Sequence, residues 1–105
     1  MPTITIQSIN LVNNRITVLF DQPWFQEDIT TLRQLLFHNV SNLCIKEIII
    51  GADLENIRFH WLETEFIINF DYYSQSCWFD TQDPHSLAET PALFNLLTQN
   101  NERYV

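Results

Sequence analysis

The chain has 105 residues, 46% of them hydrophobic and 13% aromatic, with 13 acids against 5 Lys and Arg for a formal net charge of −8. A length of this order holds one domain with one core, and so large an apolar share excludes a chain that stays disordered. The acidity excludes direct binding to nucleic acid or to an anionic membrane, because phosphate contacts need Lys and Arg.

From the N-terminus, residues 3–9 alternate as Ile4, Ile6 and, with a slip, Ile9, and residues 15–20 alternate as Ile16, Val18 and Phe20. Asn13-Asn14 joins them into a hairpin, since Asn tolerates the left-handed backbone of tight turns. Asp21 and Pro23 predict a helix start there or a few residues later, with Phe25, Ile29, Leu32, Leu36 and Val40 as its apolar stripe and Asn39, Ser41 and Asn42 ending it. Trp24 at the helix entrance reads as a packing anchor. Residues 43–50 form a run with little alternation at its end, which predicts a central strand covered on both faces, closed by Gly51.

Residues 56–80 carry the clearest pattern. Ile57, Phe59 and Trp61 share one parity, and Phe66, Ile68 and Phe70 share another after a break at Glu63-Thr64. A third strand holds Cys77 and Trp78, so the stretch predicts three consecutive antiparallel strands. Residues 81–89, polar and containing Pro84, read as a loop. Ser86 and Thr90-Pro91 compete as starts for a final helix, and the second is preferred because Pro91 disfavours helical torsions at Thr90. Leu93, Phe94, Leu96 and Leu97 supply its apolar face, and residues 100–105 are expected to fray. The fold expected is a single α+β domain over residues 1–105 in the order ββαββββα, its mainly antiparallel sheet covered on one face by two helices.

The absence of motifs narrows the chemistry. A single glycine, Gly51, excludes the phosphate-binding loop, the dinucleotide fingerprint and the nucleophile elbow. His38, His60 and His85 have no partner at metal-ligand spacing, so no metal and no cofactor is expected, and a loop site at Asp80, Asp83 and His85 is outweighed by a solvated loop. Residues 1–20 lack a basic start followed by an apolar stretch, which with Cys44 and Cys77 read as thiols predicts a cytoplasmic protein. The charge is lopsided. Residues 47–89 hold nine acids (Glu47, Asp53, Glu55, Glu63, Glu65, Asp71, Asp80, Asp83, Glu89) against Arg58 alone, which suits a basic protein partner as well as plain solvation.

If the apolar parity of the meander faces the helices, Arg58, His60, Leu62, Ile67, Asn69 and Asp71 line the opposite face, with Tyr72, Tyr73 and Trp78 close by. Aromatic residues interleaved with His and Arg are the composition of interface cores. Ile67, between two inward residues, predicts that the outward patch is covered by a second chain, hence a homodimer. The function expected is therefore a non-catalytic acidic interaction module, self-associating or docking and inhibiting a basic protein. The alternative is a small-molecule binder or modest enzyme with an aromatic pocket between sheet and second helix at Tyr72, Tyr73, Cys77 and Trp78, Cys77 being its one nucleophile if His60 lowered its pKa.

The run INFDYYSQSCWFD over residues 68–80, following a hairpin, a helix and a strand in a chain of this length, resembles an uncharacterised family of small bacterial proteins known only as a domain of unknown function. The resemblance implies a bacterial, cytoplasmic protein and brings no catalytic residue with it.

Overall fold

The computed structural model describes residues 3–38, 40–81 and 84–100, with the side chains of 84–87 and 100 left aside. Asn39, Asp83, the His85 side chain and residues 101–105 therefore lie outside the description, and with them the expected helix end at Asn39, the loop site at Asp83 and His85 and the fraying tail. Strands β1 (Ile6–Val12) and β2 (Arg15–Phe20) are followed by a single 3-10 turn (Gln26–Asp28), helix α1 (Ile29–Leu36), strands β3 (Leu43–Ile50), β4 (Leu54–Trp61), β5 (Thr64–Asp71) and β6 (Ser76–Asp80), and helix α2 (Pro84–Asn100). All pairings are antiparallel and make one sheet in the order β1-β2-β6-β5-β4-β3, which gives the expected α+β order.

Alternation puts Ile16, Val18, Ile57, Phe59, Trp61, Phe66, Ile68, Phe70, Cys77 and Phe79 on one buried face, where they meet Ile29, Leu32 and Leu36 of α1 and Leu93 and Leu97 of α2. Both helices lie on this face. Trp24 is an anchor as expected: it is buried, stands edge-on to Phe20 and Phe70, and has its backbone gripped in both directions by the Gln75 amide at 2.8 Å. The slip near the start of β1 is a bulge at Gln7, between the pairs Ile6/Phe20 and Ser8/Leu19, and it lets Ile6 and Ile9 both face the core.

Two-residue turns join β1 to β2 at Asn13-Asn14 and β4 to β5 at Leu62-Glu63, all four residues with positive φ. The Asn pair was legible; the Leu-Glu pair carries no turn signature.

Three expectations give way. β3 is not a central strand: it is the sheet's edge, with β4 as its neighbour, and is exposed from Cys44 to Ile50, while α2 packs over β1, β2 and β5 instead. Residues 84–89 are not loop. α2 begins at Pro84, where the fixed φ of proline suits a first turn, and it runs through Pro91. Asp21 does not cap a helix: it accepts the Thr5 N–H at 2.8 Å and the Thr5 hydroxyl at 2.7 Å, tying the approach to β1 to the end of β2, while Asp28 accepts the Phe25 N–H at the 3-10 turn.

Candidate interaction surface

Because both helices cover the face of Phe59 and Phe79, the other face of the sheet has no described element over it. The intervening residues of each strand form it. Arg58 and His60 of β4, Ile67, Asn69 and Asp71 of β5 and Trp78 of β6 stand on this outward face, as parity requires. Leu62 sits instead in the β4–β5 turn, 55% exposed. Tyr72 leans onto Phe25 at the end of the sheet, with ring centroids 6.0 Å apart, and Tyr73 is solvent-exposed at the next turn.

Polar groups on the outward face are mostly paired within the chain. Trp78 donates its indole N–H to Asp80 at 2.8 Å, and Asp80 also takes the Arg15 guanidinium at 3.0 Å. Asn69, 7% exposed, donates to Trp78 O and to Asp80, each at 3.4 Å, and accepts from Asn56 across the β4–β5 ladder. Glu47 holds Arg58 at 2.9 Å and Glu65 holds His60 at 3.1 Å. Ile67 lies opposite Arg58 on one side and Asp80 on the other, and these neighbours leave it half-buried without a second layer. The face is thus a polar, hydrogen-bonded plate set with one aliphatic and one indole side chain. Arg15, Asn56, Glu65 and Asp80 belong to it as fully as the residues read from sequence. Asp80 shares the parity of Trp78, but the Arg15 contact depends on β2 pairing with β6, which no local pattern announces.

The side chains expected to line an aromatic pocket between the sheet and the second helix are not all on one face of the sheet. Cys77 and Trp78 are successive strand residues and so project to opposite faces; Cys77 is in the core, while His60 is on the outward side, engaged by Glu65. Burial pushes the Cys77 thiol far above the usual range. A groove of about 340 Å³ does open on the outward side beside Trp78, bordered by Arg15, Thr17, Asp71 and Ser76. Among the described residues no group of three His, Cys, Asp or Glu is placed to hold a metal ion, and no helix is long and apolar enough to cross a membrane.

Fold and surface define a small α+β domain with a one-sided helical layer and an open antiparallel sheet. Residues 6–99 match the family described as "Protein of unknown function (DUF3630)", and the chain belongs to that family. Neither the curated proteins nor the solved structures give a match.

Proposed function

We propose that the protein is a non-catalytic interaction module that presents the outward face of its sheet to a basic protein. The observation that carries this reading is the uncovered face itself: Ile67 and Trp78 stand among ordered polar groups, a mixture typical of interface cores. Acids concentrated in residues 47–89 would steer a basic partner and make its association fast and salt-sensitive. Inhibition of a basic enzyme or toxin is one form of this role. Two unbridged cysteines suit a reducing compartment, in keeping with a cytoplasmic bacterial protein.

The test is affinity capture at low and at high salt, comparing the wild type with Trp78→Ala and Ile67→Lys after each variant is shown to keep its circular dichroism spectrum. A basic partner retained at low salt, released at high salt and lost with both variants is the expected result. Capture unchanged by either substitution would remove this face as the site.

A second reading, a small-molecule site, is favoured by the groove beside Trp78, whose volume falls in the range of ligand pockets. Thermal-shift screening with anionic and aromatic metabolites tests it, and a shift abolished by Arg15→Ala is expected if Arg15 holds the ligand. Self-association, expected from the sequence over Ile67, is better carried by a different surface.

A further inference from the structure

Edge strands present a row of unpaired N–H and C=O groups that a second chain can use. β3 is such an edge, eight residues long, and its Ile45, Ile48, Ile49 and Ile50 are 38, 44, 49 and 66% exposed. We propose that β3 pairs antiparallel with β3 of a second copy about a two-fold axis between Lys46 and Glu47, joining two six-stranded sheets into one continuous sheet. This goes beyond the docking role and leaves the outward face free.

The bulge at Lys46 lets β3 pair in this way over its full length. Register with β4 sets Leu43, Ile45, Ile48 and Ile50 on the helix side, opposite Trp61, Phe59, Ile57 and Glu55, and sets Cys44, Glu47 and Ile49 on the outward side. Lys46 is outward as well, lining a hollow with Cys44 and His60. Two consecutive outward residues at the centre make the facing pattern read the same from either end. In an unbroken strand of eight residues the two ends face opposite ways, so pairing over the full length with the helices on the same side would set unlike faces against each other, and like faces would meet only about an axis through a single residue, with an end residue left over. Here each residue meets one of its own face: Leu43 opposite Ile50, Ile45 opposite Ile48, Cys44 opposite Ile49, and Lys46 opposite Glu47 of the second copy.

Backbone direction agrees. Gly51, the next outward residue after Ile49, donates its N–H to Leu54 O at 2.7 Å. Side-chain face and amide direction are coupled within a strand, so outward residues turn their amides to β4 and the isoleucines of the helix side turn theirs to the open edge. Charge then selects a second copy of this chain as the occupant. At the axis Lys46, which has no carboxylate partner among the described residues, comes opposite Glu47 twice over, although each chain carries a net charge of −8.

The register can be tested by cross-linking. Cys44 is exposed, and the residue opposite it is Ile49, at a cross-strand spacing of roughly 4.5–5.5 Å between Cα atoms that a disulfide can span. Within one chain the same two positions are five strand residues apart, roughly 16 Å, and cannot be bridged. Ile49→Cys, treated with a mild oxidant and run on a non-reducing gel, should give a covalent dimer. Wild type and Ile49→Cys combined with Cys44→Ser should not. In analytical ultracentrifugation the wild type should sediment as a dimer, and Lys46→Glu, which lines four carboxylates along the axis, should weaken the dimer at least about tenfold. A wild type that stays monomeric at high micromolar concentration overturns the proposal and would make the bulge and Lys46 devices that guard the edge. A wild-type dimer with no cross-link in Ile49→Cys overturns it too, and places the contact between copies elsewhere.

Discussion

Two cysteines of one chain sit in opposite circumstances. Cys77 is in the core with its thiol held far toward the neutral form by burial, whereas Cys44 is on the exposed edge strand. The thiolate is the reactive species and must be reached by the reagent, so a maleimide or disulfide probe should label the exposed Cys44 in the native protein, and Cys77 should stay unmodified until the protein unfolds. Mass spectrometry of the labelled native protein reads this directly; labelling of Cys77 at a comparable rate would contradict the burial.

Two carboxylates show the same dependence on surroundings with opposite sign. Hydrogen bonds from the Thr5 backbone and side chain hold the Asp21 pKa below its ordinary value. Such a group adds stability above its unfolded pKa and loses it as pH falls through the lower, folded one. Desolvation raises the Glu55 pKa, partly offset by Arg33, so Glu55 detracts from stability at neutral pH and that cost is relieved as pH falls through its raised pKa. Urea midpoints measured from pH 7 to pH 3 should therefore show Asp21→Asn less stable than wild type at pH 7 and converging with it in acid. Glu55→Gln should be more stable at pH 7, with that advantage shrinking toward pH 4.

At the scale of elements, the turn between β4 and β5 is the least suited to its sequence. Leu62 at φ 52° and Glu63 at φ 67° occupy the left-handed region, which costs ordinary residues roughly 1–2 kcal/mol each and costs Asn and Gly far less. Replacing Leu62-Glu63 by Asn-Gly keeps the two-residue loop and should stabilise the fold by about 1–2 kcal/mol in denaturant titration. No gain would mean that Leu62 contributes contacts its 55% exposure does not suggest.

This turn also marks what could be read from the residues alone. The alternation of residues 57–70 was legible because one face is fully buried, and so was the slip in β1, because Ile6 and Ile9 cannot share a face without an extra residue. The placement of β3 was not. A run of isoleucines reads as doubly covered, and whether neighbours cover it depends on how far α1 and α2 reach, which is a tertiary fact. The early start of α2 was hidden by Pro84, which reads locally as loop, and by Pro91, which reads as the first residue of a helix rather than as the interior of one already begun. Of the candidate surface, the strand residues followed from parity, while Arg15, Tyr72 and Tyr73 depended on strand order and turn geometry.

At the scale of the whole molecule, strand order makes one pairing unlike the rest. β3, β4, β5 and β6 are neighbours in sequence and in space, but the β1–β2 hairpin joins the sheet by pairing β2 with β6 across most of the chain. Closing that loop costs entropy before its contacts form, so the meander should assemble first and the hairpin dock later. Phe79 offers a controlled comparison, since in register it lies between Ile68 of β5 and Ile16 of β2, both fully buried. Ile68→Val and Ile16→Val each delete one methylene-sized group beside the same ring and should each cost about 0.5–1.5 kcal/mol. The kinetics should separate them. Ile68→Val should chiefly slow folding, and Ile16→Val should chiefly speed unfolding, in stopped-flow chevrons recorded in the Lys46→Glu background so that association does not intrude. Equal slowing of folding by both would show that β2 is already against β6 in the transition state, and the order of assembly would have to be reversed or merged.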